Sequence, residues 1–208
     1  MVLVTGPLGG FSASGSLAGS LVFSSWKGRA YVRRLVTPSN PKTGLQVGVR
    51  RMFKFLAQNW AGLTTVEQDT WDSRAAATVI SPFNAYMSLN QKVWRNFQTP
   101  GQQDPIGDTG TVMGTPVWSA AAQTRQITLT SGGTTVGQNW GRTIHKGATM
   151  FTPSVSNCIA VILLDQNATD VLFVDTPLPA GEVFYNAHDF TDDGVISSEL
   201  GEISATVT

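Results

Sequence analysis

The residues of this 208-residue chain best suited to chemistry by type and spacing lie near its C-terminus, at Asp189, Thr191 and Asp193. They occupy the first three ligand positions of a calcium loop, and Gly194 stands at the sixth, where such a loop turns sharply. The twelfth position should hold a bidentate acid; it holds Leu200, and Glu199 comes one residue early. Asp193-Gly194 is also a strong hairpin signal. A turn between two strands accounts for the run, and no metal site is assigned. Hydrolytic chemistry has fewer parts still. His145 and His188 are the only histidines, neither lies in a His-Glu-x-x-His pattern, and no Gly-x-Ser-x-Gly elbow occurs. Cys158 opens an apolar strand and reads as a small buried hydrophobe. The N-terminal glycines have no Gly-Lys-Ser/Thr after them, so they form no phosphate loop. The expectation is a protein without enzymatic activity and without a cofactor.

A second group, Trp26, Lys27, Arg29, Tyr31, Arg33 and Arg34, interleaves aromatic rings with cations. On a strand, Arg29, Tyr31 and Arg33 share one face and Ala30, Val32 and Arg34 the other. This pattern suits docking onto an acidic protein surface, with long stems covering apolar area. It also suits phosphate contact with base stacking. Docking is preferred, because no nucleic-acid motif accompanies the charge. The wider distribution points the same way. Residues 1–100 carry eleven Lys and Arg against three acids, net +8, and residues 101–208 carry the reverse, net −8. Such a split suits two modules with different electrostatic partners.

The elements that must position these residues follow from periodicity. Hydrophobic residues make up 41% of the chain and charged residues 13%, apolar enough for a core and too uncharged for a disordered chain. Residues 1–41 read as an extended Gly-rich arm whose runs Leu21–Trp26 and Ala30–Val36 form a hairpin around Lys27-Gly28-Arg29. Residues 42–99 read as a helical module. Its first helix opens at Asn40-Pro41-Lys42 with a stripe of Leu45, Val49, Met52, Phe53, Leu56 and Trp60. A capping box at Thr64 and Glu67 starts a helix to Thr78, and Ser81-Pro82 starts another. Trp60, Trp71 and Trp94 are expected in the core. Residues 100–115 read as a linker and 116–208 as an antiparallel β-sandwich. Its strands are expected at Val117–Ala121, Gln126–Thr130, Thr149–Phe151, Cys158–Leu164, Val171–Val174, Glu182–Ala187 and Ile203–Val207. The fold class is α+β, with an immunoglobulin-like or fibronectin-III-like sandwich. No apolar run is long enough to cross a bilayer, and the start lacks a signal-peptide pattern, so a soluble, non-secreted chain without membrane contact is expected.

The run from Gly15 to Arg33, with Pro38-x-Asn40-Pro41-x-Thr43, Trp60-x-x-Leu63-Thr64, Trp71 and Asn84-Ala85-Tyr86, resembles uncharacterised bacteriophage and prophage virion structural proteins. The resemblance covers about residues 10–97 and does not extend to the sandwich. It implies a structural part of a virion, a minor capsid or head decoration protein anchored by the arm and helices. Other virion proteins would be its partners, in multiple copies of a symmetric assembly. Two alternatives stay open: a nucleic-acid-binding protein of the particle interior, and a tail-associated host-binding module.

Overall fold

A computed structural model of the chain describes residues 2–3, 14–37, 39–107, 117–132, 139–164, 170–194, 196 and 200–208. It divides into two compact units, residues 1–41 and 42–208. The first is a four-stranded antiparallel sheet of β1 (Val2–Leu3), β2 (Gly15–Leu17), β3 (Leu21–Trp26) and β4 (Arg29–Arg34), in the order β1-β4-β3-β2.

The second unit opens with helix α1 (Gly44–Asn59), capped by Thr43, whose hydroxyl accepts from the Gln46 amide. The expected cap at Asn40 is three residues early, and Lys42 sits at φ +51°, outside helical geometry. The stripe is also turned from the expected one. Gly48, Met52, Phe55 and Leu56 are buried, whereas Leu45 and Phe53 are exposed. Close approach is the reason. A Cβ on Gly48 would lie 1.9 Å from the Val155 carbonyl oxygen, and one on Gly44 would lie 2.1 Å from that of Ser156. The helix therefore seats its bare backbone on the 3-10 turn Val155–Asn157, which buries Met52, Phe55 and Leu56 and leaves Leu45 and Phe53 turned outward.

The capping box at Thr64 and Glu67 is present, yet the expected single helix is two, α2 (Thr65–Asp69) and α3 (Asp72–Thr78). Between them Trp71 is fully buried, edge-on to Tyr86 with centroids 5.3 Å apart, and its indole N–H donates to the Gln102 carbonyl at 2.8 Å. Helix α4 (Pro82–Arg95) starts at the Ser81 cap and buries Tyr86, Met87, Asn90 and Trp94. The Trp94 indole donates to the Gly48 carbonyl at 3.2 Å, locking α4 to α1.

Residues 100–107 do not behave as a linker. The Asn90 side-chain amide clasps Gly101 through two hydrogen bonds of 2.9 and 3.0 Å, and Gln102 N–H donates to the Asp192 carbonyl at 2.8 Å. The rest of the expected linker, residues 108–115, lies outside the described residues.

Among the described residues seven strands complete the unit: β5 (Val117–Gln123), β6 (Gln126–Gly132), β7 (Asn139–Gly147), β8 (Cys158–Leu163), β9 (Asp170–Asp175), β10 (Gly181–Thr191) and β11 (Ile203–Val207). They form two antiparallel sheets, β5-β6-β9 and β11-β10-β7-β8. The fourth sandwich strand, β8, lies beside the third rather than in the first sheet, which differs from the immunoglobulin constant-type arrangement. The fold is thus α+β with an antiparallel β-sandwich. Strand β7 went unread, and the expected strand at Thr149–Phe151 is irregular.

Trp118, Ile127 and Leu129 pack against Ile144, Tyr185, Ala187 and Val207 between the sheets. On the far side of the four-stranded sheet Phe55 of α1 meets Trp140 at 4.9 Å and Phe190 at 5.5 Å. Helices, four-stranded sheet and three-stranded sheet therefore stack as three layers. The expected separation into a module at 42–99 and another at 116–208 gives way to one unit with a shared core. The basis is the apolar outer face of the middle sheet, which needs a cover of its own.

Gly48→Ala should lower unfolding free energy by about 1–3 kcal/mol in urea titration, while Gly62→Ala, whose Cβ would meet open space, should change it by less than about 0.5 kcal/mol. Equal effects would contradict the close approach. Burial also pushes the Cys158 thiol up to about 12 and raises the Tyr86 and Tyr185 phenols, Tyr185 further through its bond to Asp175. The folded protein thus holds protons that the unfolded chain releases from about pH 8.5 for thiol and 10 for phenol. Stability from these groups is whole below those values and falls as pH climbs through them. The thermal midpoint should drop steadily between about pH 9 and 11; a flat profile would contradict this burial.

Candidate interaction surface

The N-terminal sheet owes its register to Lys27 and Gly28. These two residues bridge the terminal pair Trp26 and Arg29, with φ of +49° and +75°. Positive φ at both positions is the signature of a type I′ turn, whose twist fits a two-residue hairpin. Cross-strand partners then fall in pairs: Trp26 with Arg29, Ser24 with Tyr31, Val22 with Arg33, and one residue along, Ser25 with Ala30, Phe23 with Val32, Leu21 with Arg34. Residues directly opposite share a face, so the first three pairs line one side and the second three the other.

One face is therefore aromatic and cationic, with Trp26, Arg29, Tyr31 and Arg33. The other is apolar: Leu21, Phe23, Ala30 and Val32, extended by Leu17 of β2 opposite Leu21, with Arg34 at its end. The six residues singled out in the sequence do not act as one patch. Trp26, Arg29, Tyr31 and Arg33 come together, Lys27 sits in the turn with its ammonium 4.7 Å from the Trp26 ring centre, and Arg34 is on the opposite face. The apolar face is the part sequence reading missed. Its signal lay in the Lys-Gly turn, which fixes the pairing and so the sorting of side chains.

None of the described side chains in this unit is buried. Trp26 is 65% exposed, Leu17 51% and Leu21 39%, and Phe23, Tyr31 and Val32 are half-buried. The unit also carries four cations and no acid, since the first acid of the chain is Glu67. Residues 42–208 hold the other ten Lys and Arg and all fourteen acids, net −4.

The second unit places the remaining candidates. Asp189 lies on β10, fully buried, and both of its oxygens accept from the Arg142 guanidinium, at 2.5 and 2.8 Å. Thr191 ends the same strand, also fully buried, and Asp193 sits in the turn beyond it. The calcium loop therefore does not assemble: its first ligand is committed to an arginine inside the sandwich. Asp192-Asp193-Gly194 makes a hairpin turn, with Phe190 bridging to Ile196. The Asp192 carboxyl is raised above its ordinary range by burial and by the charges of Asp193 and Glu67.

His145 and His188 lie on the helix-facing side, each edge-on to Phe97, with their own ring centres 6.1 Å apart. Nδ1 of His145 sits 2.8 Å from the Asn157 side-chain oxygen, and Nε2 sits 3.0 Å from the Thr143 hydroxyl. This network ties β7 to the 3-10 turn on which α1 rests. Cys158 is buried beneath α1, donating weakly to the Ala160 carbonyl. A groove of about 490 Å³ between α1 and the edge strand β8 has Arg51 and Lys54 on its rim.

No family model matches the chain, and no curated protein matches it. Among solved structures, it is similar to a β-1,2-glucanase from Parabacteroides distasonis at 15% identity and TM-score 0.40, over 50% of this chain and 14% of that one. It is also similar to the chicken CNTN1 FN1-FN3 domains at 13% identity and TM-score 0.36, over 46% and 33%. A third likeness is to hypothetical protein PH1083 from Pyrococcus horikoshii OT3, at 8% identity and TM-score 0.32, over 49% and 93%. The chain thus spans well under two thirds of the glucanase and the CNTN1 fragment.

Replacing Asp189 by Asn should cost about 3–5 kcal/mol, because it leaves the Arg142 charge buried without its counter-ion. The thermal midpoint of the unaltered protein should be the same with and without millimolar calcium; a calcium-dependent rise would restore the metal reading.

Proposed function

We propose that this chain is a non-enzymatic structural component of a bacteriophage virion, a minor capsid or head decoration protein anchored by its N-terminal sheet and helices. The observation that carries the proposal is a four-stranded sheet with one apolar and one aromatic-cationic face and no buried side chain among its described residues. A sheet normally gains its stability by burying one face against another layer. Leu17, Leu21, Phe23 and Val32 gain that burial when another polypeptide covers them, and the four cations give such a contact a preference for acidic surface. The resemblance over residues 10–97 supplies the kind of assembly. Exposed Leu45 and Phe53 on α1 add apolar surface of the same use.

A second reading, binding of nucleic acid in the particle interior, is favoured by one feature. Trp26, Tyr31, Arg29 and Arg33 lie on the same face, the pairing of rings and cations that single strands use.

Arg29→Ala, Arg33→Ala and Arg34→Ala combined should lower incorporation into assembled particles severalfold, measured by quantitative mass spectrometry of purified virions. Unchanged incorporation would reject the sheet as anchor. Gel shifts at low salt separate the second reading, which requires DNA affinity that falls log-linearly with salt.

A further inference from the structure

We propose that the open edge of strand β8 takes up an extended segment of a partner protein as an added strand, one whose residues alternate acidic and apolar. Only residues 42–208 are involved, whatever the role of the N-terminal sheet.

Both faces of the four-stranded sheet are covered, but its β8 edge is not. Strand β8 pairs with β7 alone, at the end of the order β11-β10-β7-β8. The Leu164 amide donates to the Trp140 carbonyl at 3.0 Å, one step beyond the pairing of Leu163 with Gly141. Bonded residues alternate along an antiparallel strand, so Ile162 and Ala160 also aim their backbone groups at β7. Val161 and Leu163 therefore turn theirs outward, two donors and two acceptors repeating at about 6.6 Å along the edge. Sheet edges are normally blunted by charge, proline or a covering element. The run Cys-Ile-Ala-Val-Ile-Leu of β8 has neither charge nor proline, and Leu163 is 54% exposed. Strand β9, at an edge of the other sheet, by contrast begins and ends with an aspartate.

A groove of about 490 Å³ runs along this edge, lined by Ala160 to Leu163 in unbroken succession. Arg51, Lys54 and Gln58, one stripe of α1 at spacings of three and four, make one wall. Phe173, which packs between the two sheets, makes the other. Arg51 and Lys54 are exposed and enter no ion pair among the described residues, and no acid stands among the described lining residues.

The two walls set the chemistry of the occupant. Val161 packs with the helix-side core, and Ala160 and Ile162 with the core between the sheets. Residues directly opposite share a face, so those paired with Val161 and Leu163 lie toward α1, where carboxylates meet Arg51 and Lys54. The residues between them lie toward Phe173 and are apolar. Main-chain bonds to the edge supply affinity, and the alternating side chains supply selectivity. The N-terminal unit of a second copy does not fit, because residues 1–41 contain no acid.

The test uses a fluorescein-labelled peptide of alternating Glu and Val, about nine residues long so that it outspans the strand at about 3.3 Å per residue. Its binding to the full-length chain is read by fluorescence polarisation. Replacing Glu by Lys in the peptide, which leaves the protein untouched, should weaken binding at least about fivefold at low salt. Arg51→Glu with Lys54→Glu should weaken the Glu peptide equally and make the Lys peptide the better ligand. Leu163→Pro removes an N–H that the sheet itself does not use, so it should lower affinity while leaving the thermal midpoint nearly unchanged. N-methylation of one alternate set of peptide nitrogens should abolish binding, and of the other set should not. The Val161 and Leu163 amides should gain protection from hydrogen exchange in the complex.

No binding at millimolar peptide overturns the proposal, and so does binding indifferent to the reversal of Arg51 and Lys54. Two N-methylated sets that behave alike indicate adsorption rather than strand addition and overturn it too. A single-stranded oligonucleotide that displaces the peptide without protecting Val161 or Leu163 replaces the acidic segment with phosphate.

Discussion

A β-sheet must take its apolar face out of water, and the two units of this chain stand differently toward that requirement. In residues 42–208 the four-stranded sheet is covered twice, by three strands on one side and by helices on the other. In residues 1–41 an apolar face of Leu17, Leu21, Phe23, Ala30 and Val32 has no buried member. The first arrangement is self-sufficient, and the second, on the function proposed above, is completed by contact with other protein. The proposed function is read from that difference.

Double coverage of the middle sheet explains where its polar residues are. Strand β7 alternates between two interiors, and its polar side chains are placed with partners in each. Arg142 faces the sandwich and meets Asp189; Thr143 and His145 face the helices and bond one another. Lys146 and the Tyr185 hydroxyl both donate to the same Asp175 oxygen at 2.8 Å, joining the two sheets at one edge. Buried groups of this kind cost desolvation and must be matched, so they fix which strand lies beside which. They serve the architecture, and the histidines belong to it as well.

Much of this was legible in the sequence where one rule governed one residue. Ser81-Pro82 and the Thr64/Glu67 box start helices as read, because capping is a local hydrogen-bond problem. Ile203–Val207 matches residue for residue, since its alternation reports one buried and one open face. Strand β7 was hidden for the opposite reason. Asn-Trp-Gly-Arg-Thr-Ile-His-Lys-Gly shows no apolar alternation when both faces are buried and half the positions are polar groups with distant partners. The stripe of α1 was misassigned because Gly44 and Gly48 carry no hydrophobicity, yet their lack of a side chain is what the contact with Val155 and Ser156 needs. At the interaction surface, the aromatic and cationic residues could be read directly. Their division between faces, and the apolar face behind them, came from the turn at Lys27 and Gly28.

The N-terminal sheet is either covered or open to water in the assembled state, and Trp26 is the most exposed aromatic ring among its described residues. Hydroxyl-radical footprinting compares the oxidation rate of Trp26 in the dilute isolated chain with that in assembled particles, with buried Trp71 as internal reference. Strong oxidation in isolation and a drop of at least about fivefold on assembly is the predicted result, in keeping with the loss of access that interface burial brings. Equal oxidation of Trp26 in both states would mean that the sheet stays open to water in the particle, and would contradict the account.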